Sequence, residues 1–87
     1  MPGRFDSVEQ LYNDLMIGHE YAFAYKDNIY SVDSPCVAIG EKRTYYVGMP
    51  DSTVIEFNAY NELLDGFIVE GKSFREFMFD VDVKIEF

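Results

Sequence analysis

The sequence predicts an α+β fold: an antiparallel sheet of about five to six strands packed with two to three short helices. Three observations lead there. "HEYAFAY" and "DVDVKIEF" alternate apolar and polar residues with the period of two that half-buried strands show. Two other stretches carry helix-start chemistry, a Ser followed three residues later by Gln or Glu: Ser7 with Gln10, and Ser73 with Glu76. With 87 residues there is room for one small core, so residues 1–87 are read as a single domain.

In chain order, the first element is an amphipathic helix from about Val8 to Ile17. Val8, Leu11, Tyr12 and Leu15 recur at helical spacing, and Met16 widens the stripe. Ser7 is its cap, with Asp6 and Glu9 a competing pair one residue earlier, and Gly18 its left-handed stop. A strand follows in which His19, Tyr21, Phe23 and Tyr25 alternate with Glu20, Ala22 and Ala24. "KDN" is read as a turn, with Ile29 to Val32 returning as the hairpin partner. Asp33, Ser34 and Pro35 break the run; "CVAIG", "EKR" and "TYYVG" then suggest a second hairpin, and "MPDS" a turn.

"TVIEF" reads as a further strand and "NAYNELLDG" as a short helix capped by Asn58 and stopped near Gly66. After a brief extended piece and a turn, Ser73 and Glu76 open a third helix containing Phe74, Phe77 and Met78. The last strand places Val81, Val83, Ile85 and Phe87 on one face and Asp80, Asp82, Lys84 and Glu86 on the other. Its charges suit a sheet edge, where they discourage further pairing.

Sixteen acids against seven bases give a formal charge of −9. The imbalance deepens along the chain, from seven acids and four bases in residues 1–48 to nine and three in residues 49–87. Such a field opposes direct binding to nucleic acid or to an anionic membrane and favours encounter with a basic protein surface. No run of apolar residues reaches the length of a membrane span, and the N-terminal stretch lacks a signal-peptide core, so a cytoplasmic protein is expected. The single Cys36 cannot form an internal disulfide, and no Cys and His spacing suits zinc.

"GFIVEGKS", Gly66 to Ser73, matches the phosphate-loop pattern letter for letter. A working phosphate loop follows a buried strand, whereas this one follows a helix. Phe67, Ile68 and Val69 call for burial, and the Glu70 carboxylate would repel phosphate. The segment is therefore read as a turn feeding the Ser73-capped helix, and nucleotide chemistry is the minor alternative. His19 has no nucleophile beside it to serve as a base, and no base lies near Cys36 to activate its thiol. No catalytic residue, metal or cofactor is assigned, and a non-enzymatic protein is expected.

The segment "FNAYNELLDGFIVEGKSFREFMFDVDV", Phe57 to Val83, resembles the tail of small α+β accessory proteins from phages and mobile elements of Gram-positive bacteria. Those share an aromatic, a short "ELL" helix, a "GKS" turn and another short helix. In size and acidity the whole chain is similar to anti-CRISPR proteins, several of which imitate nucleic acid with carboxylates. That likeness implies an inhibitor that blocks a basic nucleic-acid-binding surface, with a Cas nuclease or another nucleic-acid-binding protein as the partner.

Carboxylates two residues apart on a strand face lie about 6 to 7 Å apart, a spacing suited to meeting rows of Lys and Arg. The candidate contacts are Asp80, Asp82 and Glu86 on the last strand, with Glu56, Glu62, Asp65, Glu70 and Glu76. Neighbouring Tyr45 and Tyr46 must point to opposite sides of a strand, so one of them is available as an anchor. The alternative to an inhibitor is a self-associating interaction module.

Overall fold

The computed structural model describes residues 3–86. Helix α1 spans Val8–Met16, and the Ser7 hydroxyl accepts from the Gln10 amide at 3.0 Å, as the capping pattern requires. Strands β1 (Glu20–Tyr25), β2 (Asn28–Asp33), β3 (Tyr45–Gly48) and β4 (Val54–Phe57) form an antiparallel meander. Helix α2 (Tyr60–Gly66), the two-residue strands β5 (Ile68–Val69) and β6 (Lys72–Ser73) and helix α3 (Phe74–Phe77) follow. Strand β7 (Asp82–Glu86) returns antiparallel beside β1, completing a five-stranded sheet of order β4-β3-β2-β1-β7, while β5 and β6 pair separately. The α+β reading holds, with β7 at a sheet edge.

All three helices cover the same face of this sheet. Tyr21, Phe23, Tyr25, Tyr30, Val32, Tyr45 and Val47 point from the strands into a core that includes Leu11, Leu15, Leu63, Leu64, Phe74 and Phe77. Phe23 and Phe74 stack at 5.6 Å between centroids, and Tyr25 lies on Phe77 at 4.3 Å, so aromatic rings make the contact between layers. Among the described residues, no helix covers the other face of the sheet.

Four local readings are corrected. Residues 36–40 form no strand; Tyr45–Gly48 pairs with β2 and β4, so the second hairpin is replaced by a meander with a long 34–44 loop. The ends of that loop are held by Ser34, whose hydroxyl donates to the Thr44 carbonyl at 2.8 Å. The first hairpin turns on Lys26 and Asp27 alone, both with positive φ, and Asn28 already belongs to β2. A two-residue loop with both residues at positive φ matches the right-handed twist of the flanking strands. Helix α2 is preceded by Ala59 without a side-chain cap, and Asn58 lies one position too early.

Helix α2 stops at Gly66 as read, with the glycine as its last residue. The glycine is needed for space, because a Cβ there would lie 2.8 Å from the Phe57 ring. Finally, β7 does not keep one alternation throughout. Phe23 pairs with Val83 but Ala22 with Ile85, so Lys84 is an extra residue, a bulge that carries Ile85 to the open face where it is 45% exposed. Phe87 and the Glu86 side chain lie outside the described residues.

Candidate functional site

The "GFIVEGKS" segment is structural in its geometry. Phe67 is fully buried against Phe23, Tyr30, Phe74 and Phe77, and Ile68–Val69 pairs with Lys72–Ser73 around a two-residue turn. Glu70 and Gly71 both have positive φ, as a type I′ loop demands, and Lys72 points to solvent. Ser73 donates from its amide and from its hydroxyl to Glu76 Oε1, each at 3.0 Å, which holds the Glu76 carboxyl below its ordinary range. The loop amides are thus arranged around a hairpin rather than converging on an anion.

The sequence-predicted contacts divide between two sides of the molecule. On the helical side, Glu62 and Asp65 are exposed on α2, Glu70 sits at the hairpin tip and Glu76 caps α3. Asp80 is exposed in the turn before β7. Asp65 is engaged by Arg75, Nε to Oδ1 at 2.8 Å, and that hydrogen bond lowers its carboxyl's pKa. Asp82, at the β7 edge, is paired with Lys84.

Tyr45 is buried in the core, where burial pushes its phenol up. The available anchor is therefore Tyr46, half-buried on the open face.

Register places three carboxylates in one row across that face. Glu56 on β4 pairs with Tyr46 on β3, Tyr46 with Asp33 on β2, and Asp33 with Glu20 on β1. The row runs Glu56, Tyr46, Asp33, Glu20, an aromatic ring with a carboxylate on either side and a fourth position that repeats the charge. Among the described residues, no base or hydrogen-bond donor engages these three carboxylates. Asp33 is half-buried, and its carboxyl is pushed above the ordinary range by burial and then by Glu20.

Glu20 and Asp33 escaped sequence reasoning because one reads as the polar half of an alternation and the other as a strand breaker. The signal that finds them is the cross-strand register, which no single stretch of sequence displays.

Below the row the open face is built mainly of small and apolar side chains. Val54, Gly48, Ser31, Ala22 and Ile85 form the next row across five strands, and Ile29, Ala24 and Asp82 the one after, with Asp82 held by Lys84. Gly48 is required there, since a Cβ would lie 2.3 Å from Ser31 Oγ. Val54, Ile29 and Ile85 are each about half exposed.

A separate open cavity of about 600 Å³ lies between α1, the 34–44 loop and α2, lined by Tyr12, Tyr45, Tyr60, Lys42, Arg43 and Glu62. Its most buried cation is already committed: the Arg43 guanidinium donates to the carbonyls of Leu15 at 3.1 Å, Met16 at 3.1 Å and Ser34 at 3.0 Å. The Tyr60 hydroxyl donates to the Val8 carbonyl at 2.7 Å, locking α2 to α1. This cavity is a junction between elements.

Among the described residues there is no cluster of His, Cys, Asp and Glu able to hold a metal ion, and no helix is long and apolar enough to cross a membrane. No protein-family model, curated protein or solved structure matches the chain. The molecule is thus defined by its architecture, a five-stranded antiparallel sheet with helices on one face and an acidic, uncovered other face.

Proposed function

We propose that this protein is a non-catalytic inhibitor, anti-CRISPR-like in character, that occupies a basic nucleic-acid-binding surface of a partner such as a Cas nuclease. The observation that carries the reading is the set of carboxylates Glu20, Asp33 and Glu56, which no base among the described residues engages, on a face over which no other described element packs, in a chain of net charge −9. Lys and Arg side chains that ordinarily meet phosphates find carboxylates at comparable spacing, and the long-range field speeds their approach. Glu62, Glu70 and Asp80 on the helical side add to that field.

The test is competition for DNA. A panel of guide-loaded Cas nucleases and unrelated basic DNA-binding proteins is mixed with labelled DNA, and the protein is added at rising salt. Displacement at low salt that fades between about 50 and 200 mM supports the proposal. Failure to displace DNA from any member of the panel would remove it.

A further inference from the structure

The open sheet face has more structure than a diffuse negative field. Tyr46 stands between Glu56 and Asp33 in direct cross-strand register, so the backbone of each acid lies about 5 Å from that of Tyr46 on either side. A planar cation laid on the ring is within reach of both carboxylates. Guanidinium fits this arrangement better than ammonium, because it stacks on aromatic faces and donates in a fork to carboxylates on either side.

Two further observations point to an occupant. Asp33 faces Glu20 directly, a like-charge pair that weakens the sheet and that an arriving cation would relieve. Beyond the row, the small floor of Gly48, Ser31 and Ala22 spans three strands, roughly 10 Å, bordered by half-exposed Val54 and Ile85. A solvated antiparallel face ordinarily mixes charges of both signs with other polar groups. Here the charges in the row are all acidic, the rows below are mainly small or apolar, and the nearest described cation, Lys84 at the β7 edge, is held by Asp82, so charge complementarity selects a cationic partner segment.

We infer that the open sheet face is an arginine-binding surface, in which Tyr46 stacks under a guanidinium of a partner protein while Glu56 and Asp33 accept its hydrogen bonds. Glu20 takes a second cation of the same segment, and the apolar floor receives the side chains between them. This deepens the inhibitor reading by naming the face and the residue type it recognises.

The experiment follows backbone amide and tyrosine ring signals of the isotope-labelled full chain during titration with capped nona-arginine and, separately, capped nona-lysine. The two probes carry equal charge, so bulk electrostatics treats them alike. The expected result is that shifts concentrate at Glu20, Asp33, Tyr46 and Glu56, and that nona-arginine binds about tenfold more tightly than nona-lysine. Tyr46→Leu, which keeps apolar area and loses the ring, should abolish that preference, and Glu56→Gln should weaken nona-arginine about threefold or more.

Equal binding of the two peptides, shifts centred on Glu62, Asp65 and Glu70, or no binding would each overturn the inference. Inhibition of DNA binding that survives Tyr46→Leu with Glu56→Gln would also overturn it while leaving the inhibitor reading intact. Arginine-selective binding on this face without DNA displacement by the protein would do the reverse.

Discussion

Arg43 shows how one side chain can hold three segments together. Helix α1 has no basic residue in its last turn, and Arg43 supplies the missing cation from 28 residues away, donating to the Leu15 and Met16 carbonyls and to Ser34. Removing a hydrogen-bonded charge from a half-buried helix end costs about 1–3 kcal/mol, so Arg43→Met should lower the urea midpoint accordingly. Arg43→Lys should recover little of it, because a single ammonium cannot match the guanidinium's spread of donors.

Asp33 makes the opposite case. Its carboxyl titrates above the ordinary range, so the folded state holds its proton more tightly than the unfolded chain. Stability contributed through this group is therefore fullest at acid pH and falls as pH rises through the elevated folded pKa. Asp33→Asn should raise the melting temperature at neutral pH, with the gain shrinking as pH is lowered through that range. If the arginine-binding inference holds, the same change should also weaken nona-arginine binding, trading function for stability. Thermal melts across pH 3 to 8, run beside the titration, check both halves.

At the level of elements, the two tight hairpins and the third helix carry the clearest expectations. Lys26 and Asp27 occupy positive-φ positions where L side chains are strained, so Asp27→Gly should stabilise the β1–β2 hairpin by about 0.5–1 kcal/mol. Calorimetry would show this as a rise of a few degrees in melting temperature. In the "GFIVEGKS" segment, burial separates the roles of neighbours that the motif would group together. Phe67→Ala should cost about 3–5 kcal/mol, whereas Lys72→Ala should leave stability nearly unchanged.

Ser73→Ala removes a helix cap and should cost about 1 kcal/mol. Glu76→Ala should destabilise at neutral pH and lose its effect on acidification, because the depressed Glu76 carboxyl contributes only while ionised.

These elements also mark what was legible in the residue string. The Ser7 and Ser73 starts, the left-handed stop at Gly18 with φ of 92° and the alternation of β1 were all readable, since caps and periodicity are local. The false strand at 36–40 and the face of Ile85 were not. Both depend on pairing, the first on β3 being claimed by β2 and β4, the second on a bulge at Lys84.

On the scale of the whole molecule, net charge −9 acts on folding and on binding in opposite senses. Self-repulsion loosens the compact state, so added sodium chloride should raise the melting temperature of the free protein. The same screening should weaken its attachment to any basic partner. Melts and binding isotherms recorded over one salt series should therefore move apart, and parallel movement would show that neither is dominated by long-range charge.

The sequence by itself determined the class of fold, the Ser7 and Ser73 helix caps and the sign of the surface field, because each follows from composition or from spacing within a few residues. Only the tertiary structure decided which acids share a surface. Glu62, Asp65, Glu70 and Glu76 went to the helical side, Tyr45 went inside, and Glu56 and Tyr46 were joined by Glu20 and Asp33. The physical reason is that a strand's two faces are set by alternation, but the neighbours across a face are set by register. Register is fixed by hairpin turns and by burial of the opposite face, and it aligns residues as far apart in the chain as Glu20 and Glu56.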